Sequence, residues 1–137
     1  MKILEVLTQR RITGNKGEDA VARMLRREGY KILKRNYVAK GHEIDIIACN
    51  KEYLCFVEVK TRTEGHTDPR EIRPAASVTK QKQQAIISTA QEYLALNKSE
   101  RKISFDVAEV IVDEERKVKN INYMSGAFTA NTAWKRS

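Results

Sequence analysis

At 137 residues the chain is long enough to bury a hydrophobic core as one domain without disulfide or metal staples. Its 41% hydrophobic and 32% charged residues are a globular balance that excludes a disordered polymer, and no apolar run approaches the ~20 residues that span a bilayer. Lys and Arg outnumber Asp and Glu by 26 to 18, a formal +8, which favours a polyanionic partner: DNA, RNA or, less often, a membrane surface. The same excess would also suit a solvated basic surface, since net charge governs solubility before it selects partners.

The first segment, "MKILEVLTQRR", carries its Arg pair after a brief apolar stretch, the reverse of a secretory signal, so a cytoplasmic location is expected. A helix is predicted from about Lys16 to Glu28. Asn15 reads as its N-cap, Glu18 as the capping-box partner and Gly29 as the residue that closes it. Val21, Met24 and Leu25 form its apolar stripe, and Arg23, Arg26 and Arg27 face outward. "YKILKRNYVA" reads as a strand, with a turn at Lys40-Gly41. Next comes "HEIDIIACNKEYLCFVEVKTR", His42 to Arg62, which reads as two strands joined by a short turn. The Gly- and Pro-bearing segment from Thr63 to Pro74 is a loop, long enough to be functional.

A second helix is predicted over Thr79 to Leu96, with Ile86, Ala90, Tyr93 and Leu94 on one side. "KISFDVAEVIV" and "KVKNINYM" are two further strands joined through the polar "DEER" turn, and the final "TANTAWKRS" is expected to fray or to dock through Trp134. No repeat or low-complexity segment interrupts the chain. The expectation is a single α/β domain over 1–137, its core at about 14–128, with a mixed central β-sheet flanked by helices in the order α-β-β-β-α-β-β.

The hairpin sets charges where a strand ordinarily has none. With Lys51-Glu52 as a two-residue turn, Asp45 is expected opposite Glu58, Glu43 opposite Lys60 and Ile47 opposite Phe56, with Asp45, Glu58 and Lys60 on one face. Cys49 and Cys55 then point to opposite faces and cannot bridge. With no CxxC pair, and with His42 and His66 isolated, zinc is not expected either.

Facing carboxylates repel by about 0.2–1 kcal/mol even when exposed, and burial raises that cost. A divalent cation reverses the sign, because Mg²⁺ seeks one or two carboxylates together with waters and a phosphate. Lys60, two residues past Glu58, reaches the same space and can orient water or neutralise charge on a phosphate. The pattern therefore suits a metal-dependent phosphodiester site. The competing reading is a solvated sheet face carrying Glu58–Lys60 and Glu43–Lys60 surface ion pairs. Glu18 leans toward the core side of its helix, although a capping box accounts for it too, and Lys80 could reach a phosphate from the start of the second helix.

Taken in order, "GEDAVARMLRREGYKILKRN", "EIDIIA", "FVEVKTR", "VTKQKQQAI" and "SFDV" resemble the YraN-like family, over roughly Gly14 to Phe128. That family comprises small bacterial proteins predicted to be endonucleases related to Holliday-junction resolvases, within the PD-(D/E)XK nuclease superfamily. The resemblance implies a restriction-endonuclease-like core with its active site on the central hairpin. By matching motif, Asp45 and Glu58 would be metal ligands and Lys60 the catalytic lysine. Glu18 would be the helical acidic residue that helps hold metal or its water, and the Val59 carbonyl would complete the coordination. Arg62 and Lys80, with Lys82 and Arg35, would contact nucleic acid. One departure is visible: the family usually has Gly directly before the Glu of "GEID", whereas this chain reads Gly41-His42-Glu43.

The resulting expectation is a Mg²⁺- or Mn²⁺-dependent DNA endonuclease acting on branched or distorted DNA, with water attacking the scissile phosphate and Lys60 placing it. A homodimer fits that reading, because symmetric resolution of a junction needs two sites, and no membrane partner is expected. The alternatives are a nucleic-acid-binding protein or repair scaffold that does not cut, and a basic interaction domain without a nucleic-acid role.

Overall fold

In the computed structural model, which describes residues 16–65 and 78–130, helix α1 covers 16–27. It is followed by strands β1 (Lys31–Ala39), β2 (His42–Cys49) and β3 (Tyr53–Thr63), helix α2 (Lys80–Leu96), and strands β4 (Lys102–Val112) and β5 (Val118–Phe128). This is the α-β-β-β-α-β-β order expected from the sequence. The capping role of Asn15, most of the Thr63–Pro74 loop and the docking of Trp134 lie outside the described residues. Among the described residues, no helix is long and apolar enough to cross a membrane.

The strands form one sheet in the order β1-β2-β3-β4-β5, antiparallel throughout except for the parallel pair β3–β4. A parallel pair needs a long crossover, and α2 lies within it. This five-stranded mixed sheet with its two helices is consistent with a restriction-endonuclease-like core.

Local chemistry explains the joints. Helix α1 ends in a Schellman motif, with the Tyr30 N–H donating to the Leu25 carbonyl at 2.9 Å and the Gly29 N–H to that of Arg26 at 3.1 Å. Lys40 and Gly41 both have positive φ, 54° and 78°, as a two-residue type I′ hairpin turn requires. His42 pairs with Ala39 across that turn, so the Gly41-His42-Glu43 order is compatible with a tight hairpin. Lys51-Glu52 is a poor turn sequence in itself. The Asn50 side chain supplies what it lacks, its Oδ1 accepting from the N–H groups of Glu52 (2.9 Å) and Tyr53 (2.7 Å).

Two cores lie on opposite faces of the sheet. Val21, Ala22 and Leu25 of α1 pack on Ile46, Ala48, Cys55, Val57, Ala108, Val110 and Val112. Ile86, Ile87, Ala90 and Tyr93 of α2 pack on Ile47, Leu54, Phe56, Phe105 and Val107. On the α2 side the rings form a chain of contacts from Tyr37 through Tyr93, Phe56 and Phe105 to Phe128, with centroids 5.2–5.9 Å apart. Cys49 belongs to the α2-side core and Cys55 to the α1-side core, both as free thiols, as the alternation predicts.

One buried carboxylate ties the sheet together. Asp106, in β4 and 1% exposed, accepts at Oδ1 from the Ser104 hydroxyl (2.6 Å) and the Gly126 N–H (3.0 Å), and at Oδ2 from the Tyr123 hydroxyl (2.5 Å). Burial and the neighbouring Asp106 push the Tyr123 hydroxyl far above its ordinary pKa, so it stays a donor. Burial and Asp106 likewise raise the Cys55 thiol. Tyr123→Phe removes the hydroxyl that donates to Oδ2 and should lower stability by about 1–3 kcal/mol, measurable by urea unfolding. Ser104→Ala should cost less, because Oδ1 keeps the Gly126 N–H.

Candidate active site

The β2–β3 ladder begins at the Asn50 turn and pairs Cys49 with Leu54, Ala48 with Cys55, Ile47 with Phe56 and Ile46 with Val57. That is the expected register, but the pairing stops there. Asp45 is therefore not laddered opposite Glu58, nor Glu43 opposite Lys60, whereas Glu58 and Lys60 keep the alternation of β3 and with it a common face. The physical reason lies in β2 itself. Ile44 packs into the α2-side core and Ile46 into the α1-side core, so side-chain alternation breaks at Asp45. At this break the Asp45 Oδ2, rather than a backbone carbonyl, accepts the Val59 N–H at 2.8 Å.

The two carboxylates nevertheless meet. Burial, and next the charge of Glu58, push the Asp45 carboxyl up to about 7, against the Val59 N–H, which pulls it down. Asp45 also hydrogen-bonds Glu58, which favours keeping its proton. Glu58 is 7% exposed, and its Oε2 lies 3.7 Å from the Lys82 ammonium of α2. The Glu58–Lys60 surface pair considered from the sequence is not what holds Glu58 here. Lys60 is half-buried two residues further along β3.

Glu18 joins them from the opposite helix. Its Oε1 accepts from the Asn36 amide at 3.0 Å and lies 3.6 Å from the Arg35 guanidinium. Burial, followed by the charge of Asp45, raises its carboxyl above the ordinary range. Gly17 makes this approach possible. A Cβ there would run into the Thr61 hydroxyl and stand 3.6 Å from the Val110 Cβ, so a larger residue would lift the start of α1 off the sheet. The site thus receives Glu18 from one face and Lys82 from the other, with Asp45 and Glu58 at the open end of the hairpin between them.

Among the described residues, no group of three or more His, Cys, Asp and Glu side chains is arranged to hold a metal ion. The donor set instead fits an ion that takes one or two carboxylates and keeps its waters, the habit of Mg²⁺ and of the similarly oxygen-seeking Mn²⁺. Asp45 and Glu58 are the two carboxylates that would hold such an ion, with Glu18 near enough to Asp45 for that charge to raise its carboxyl but not grouped with the pair as a third ligand. Their mutual repulsion is what a cation would relieve.

The expected nucleic-acid contacts are differently placed. Lys80 is exposed at the first residue of α2, and Lys82 borders a cleft of about 520 Å³ shared with His42, Thr79 and Gln81. Arg35 is paired with Asp19 at 2.8 Å as well as reaching Glu18. Arg62 lies with its Nε 2.8 Å from the Glu109 Oε2, an ion pair between mostly buried groups whose N–H is not aimed at the oxygen. Sequence reasoning passed over Glu109 and Asn36. Each had a signal: an acid inside "FDVAEVIV" and an Asn inside "YKILKRNYVA", residue types that strands disfavour.

Fold and site together define a small α/β protein with a five-stranded mixed sheet and an acidic pair, Asp45 half-buried and Glu58 buried, at the open end of its central hairpin. The chain belongs to the uncharacterised protein family UPF0102, whose profile matches residues 17–110, and this bears out the YraN-like resemblance at the level of the family. It is 41% identical over 125 residues to a UPF0102 protein of Prosthecochloris aestuarii, covering 85% of this chain and 93% of that protein. It is 42% identical over 130 residues to one of Desulfosudis oleivorans, covering 93% and 98%. A third, from Caldanaerobacter subterraneus subsp. tengcongensis, is 37% identical over 121 residues, covering 87% and 96%.

Because Asp45 has a folded-state pKa of about 7 against an ordinary 3.8, the native protein holds this proton more tightly than the unfolded chain. The stability it contributes is full below the ordinary value, falls as the pH rises through about 7 and is then level. Metal-free protein should therefore lose up to about 1.4 kcal/mol per pH unit across that window. Asp45→Asn, whose amide oxygen can still accept the Val59 N–H, should remove this slope and equal or exceed the wild type in stability above neutral pH. Denaturant unfolding across the window checks both, and a less stable variant above neutral pH would show that Asp45 is a structural acceptor instead.

Proposed function

We propose that this protein is a Mg²⁺- or Mn²⁺-dependent DNA endonuclease that hydrolyses phosphodiester bonds. The observation that carries the reading is the pair of a half-buried Asp45 and a buried Glu58, brought together at the end of a hairpin with Lys60 two residues on. The Val59 N–H gives Asp45 one structural partner, but two adjacent acids at a hairpin end are an arrangement that a cation-dependent site uses. When bound, the ion supplies positive charge to both carboxylates and to the oxygens of the scissile phosphate.

The chain's own residues do the rest. Asp45 and Glu58 would hold the ion with the Val59 carbonyl, and Glu18 would accept from its waters. Lys60 orients the attacking water and meets charge that develops on the phosphate. Lys80, the cleft beside Lys82 and the formal +8 favour the approach of a phosphate backbone, and Arg35 sits close enough to Glu18 to serve the same end if Asp19 releases it. Arg62, held by Glu109, stiffens β3 beside Lys60 more readily than it contacts DNA.

Selectivity for branched or distorted DNA, a homodimer and a cytoplasmic location belong to the same proposal and rest on the YraN-like resemblance and the N-terminal sequence. A nucleic-acid-binding protein that does not cut is the second reading. It is favoured by one observation: Lys82 and Arg62, expected at phosphate, are paired with acids of the protein itself.

Cleavage of labelled duplex, single-strand, flap, fork and four-way-junction DNA with Mg²⁺, Mn²⁺ or chelator separates the two. Metal-dependent cutting is expected, reduced by about 10²–10³-fold or more in Lys60→Ala. Addition of Mn²⁺ should raise the melting temperature of the wild type and leave Asp45→Asn unchanged. Tight, salt-sensitive binding to one structure without cutting would establish the second reading.

A further inference from the structure

We propose that Asn36 is a positioning residue for the ion site, its amide fixing the Glu18 carboxylate beside Asp45; this rests on the metal-dependent reading above. Asn36 lies inside β1 with φ 52°, a left-handed conformation that L residues avoid and Asn tolerates best. Arg35 pairs with Ile46 and Tyr37 with Ile44, so Asn36 falls across from Asp45. Both strands change face at this one step. Tyr37 and Ile44 pack on the α2 side, whereas Ile46 packs on the α1 side and Arg35 reaches Asp19 of α1.

The paired break has two effects. In β2 it frees Asp45 from the ladder to accept from Val59. In β1 it brings the Asn36 amide to the α1 side, where Nδ2 donates to the Glu18 Oε1 at 3.0 Å. A β-branched or aromatic residue, the usual occupant of a strand, would keep the alternation and could not donate there. An amide that donates to a carboxylate beside an ion site holds it in one orientation toward the ion's waters, which is how groups around an ion site act without touching the ion. Gly17 sets the height of α1 above the sheet, and Asn36 sets the direction of the carboxylate that α1 carries.

The test uses Mn²⁺ alone, titrated into the full chain and followed by electron paramagnetic resonance, with thermal melting of the same samples. Asn36→Gly keeps the left-handed backbone without strain and loses only the amide. Asn36→Ala loses both. Both should bind Mn²⁺ about 10–100-fold more weakly than the wild type, while Asn36→Ala, strained at this φ, melts earlier than Asn36→Gly. Because Asn36 acts through Glu18, the double variant Asn36→Gly with Glu18→Gln should bind like Glu18→Gln alone. Wild-type affinity in Asn36→Gly would overturn the proposal by reducing Asn36 to a backbone role, and so would additive losses in the double variant. A wild type that takes up no Mn²⁺ would overturn the metal-dependent reading and this assignment together.

Discussion

The half-buried Asp45 meets the buried Glu58 because β2 and β3 are zipped tightly up to Ile46–Val57 and are then released. A regular antiparallel ladder would have kept the two carboxylates as cross-strand partners on a sheet face. The break at Asp45 turns one of them into a backbone acceptor for β3 and leaves the other against α2. The hairpin thus supplies a rigid base, and its open end supplies the chemistry. The same repulsion that raises the Asp45 carboxyl toward neutrality makes the site responsive to any cation that enters it.

The rest of the architecture serves this arrangement. Two helices cover opposite faces of the sheet, and each presents a side chain from near its start to the hairpin end, Glu18 from α1 and Lys82 from α2. Close packing by Val21, Ala22 and Leu25 on one face and by Ile86, Ala90 and Tyr93 on the other fixes the helices at distances a loop could not hold. The parallel β3–β4 pair, running from Tyr53–Lys102 to Thr63–Val112, extends the rigid sheet past the point where β2 departs. Lys60 is therefore carried on a strand still laddered on one side.

Most of the fold was legible because its elements obey simple periods. The stripe of Val21, Met24 and Leu25, the alternation of Cys49 and Cys55 and the run of β4 each specify one structure, and each is found. The hairpin register was legible too, although for a reason the turn residues hide: Asn50, not Lys51-Glu52, makes the turn. What alternation could not convey was the step at Asn36 and Asp45, where both strands change face together. A period-2 argument assumes uninterrupted pleating, so it placed Asp45 opposite Glu58 and overlooked Asn36. The residues of the site could be named from the sequence, but their geometry required the non-periodic step.

Charges inside strands recur elsewhere in this sheet, and comparing them separates structure from chemistry. Asp106 is 1% exposed, yet the Ser104 and Tyr123 hydroxyls and the Gly126 N–H all donate to it, so its acceptors are met within the sheet. Glu109 is buried beside the Arg62 guanidinium, with the Asn122 amide 3.4 Å from its other oxygen, so its charge is balanced within the protein. Asp45 and Glu58 differ. Between them they have one backbone N–H and a lysine ammonium 3.7 Å away that is itself half-solvated, and they face each other. Of these strand acids, Asp45 and Glu58 are thus the ones with the least compensation among the described residues, and this deficit is what the positive charge of the proposed cation would supply.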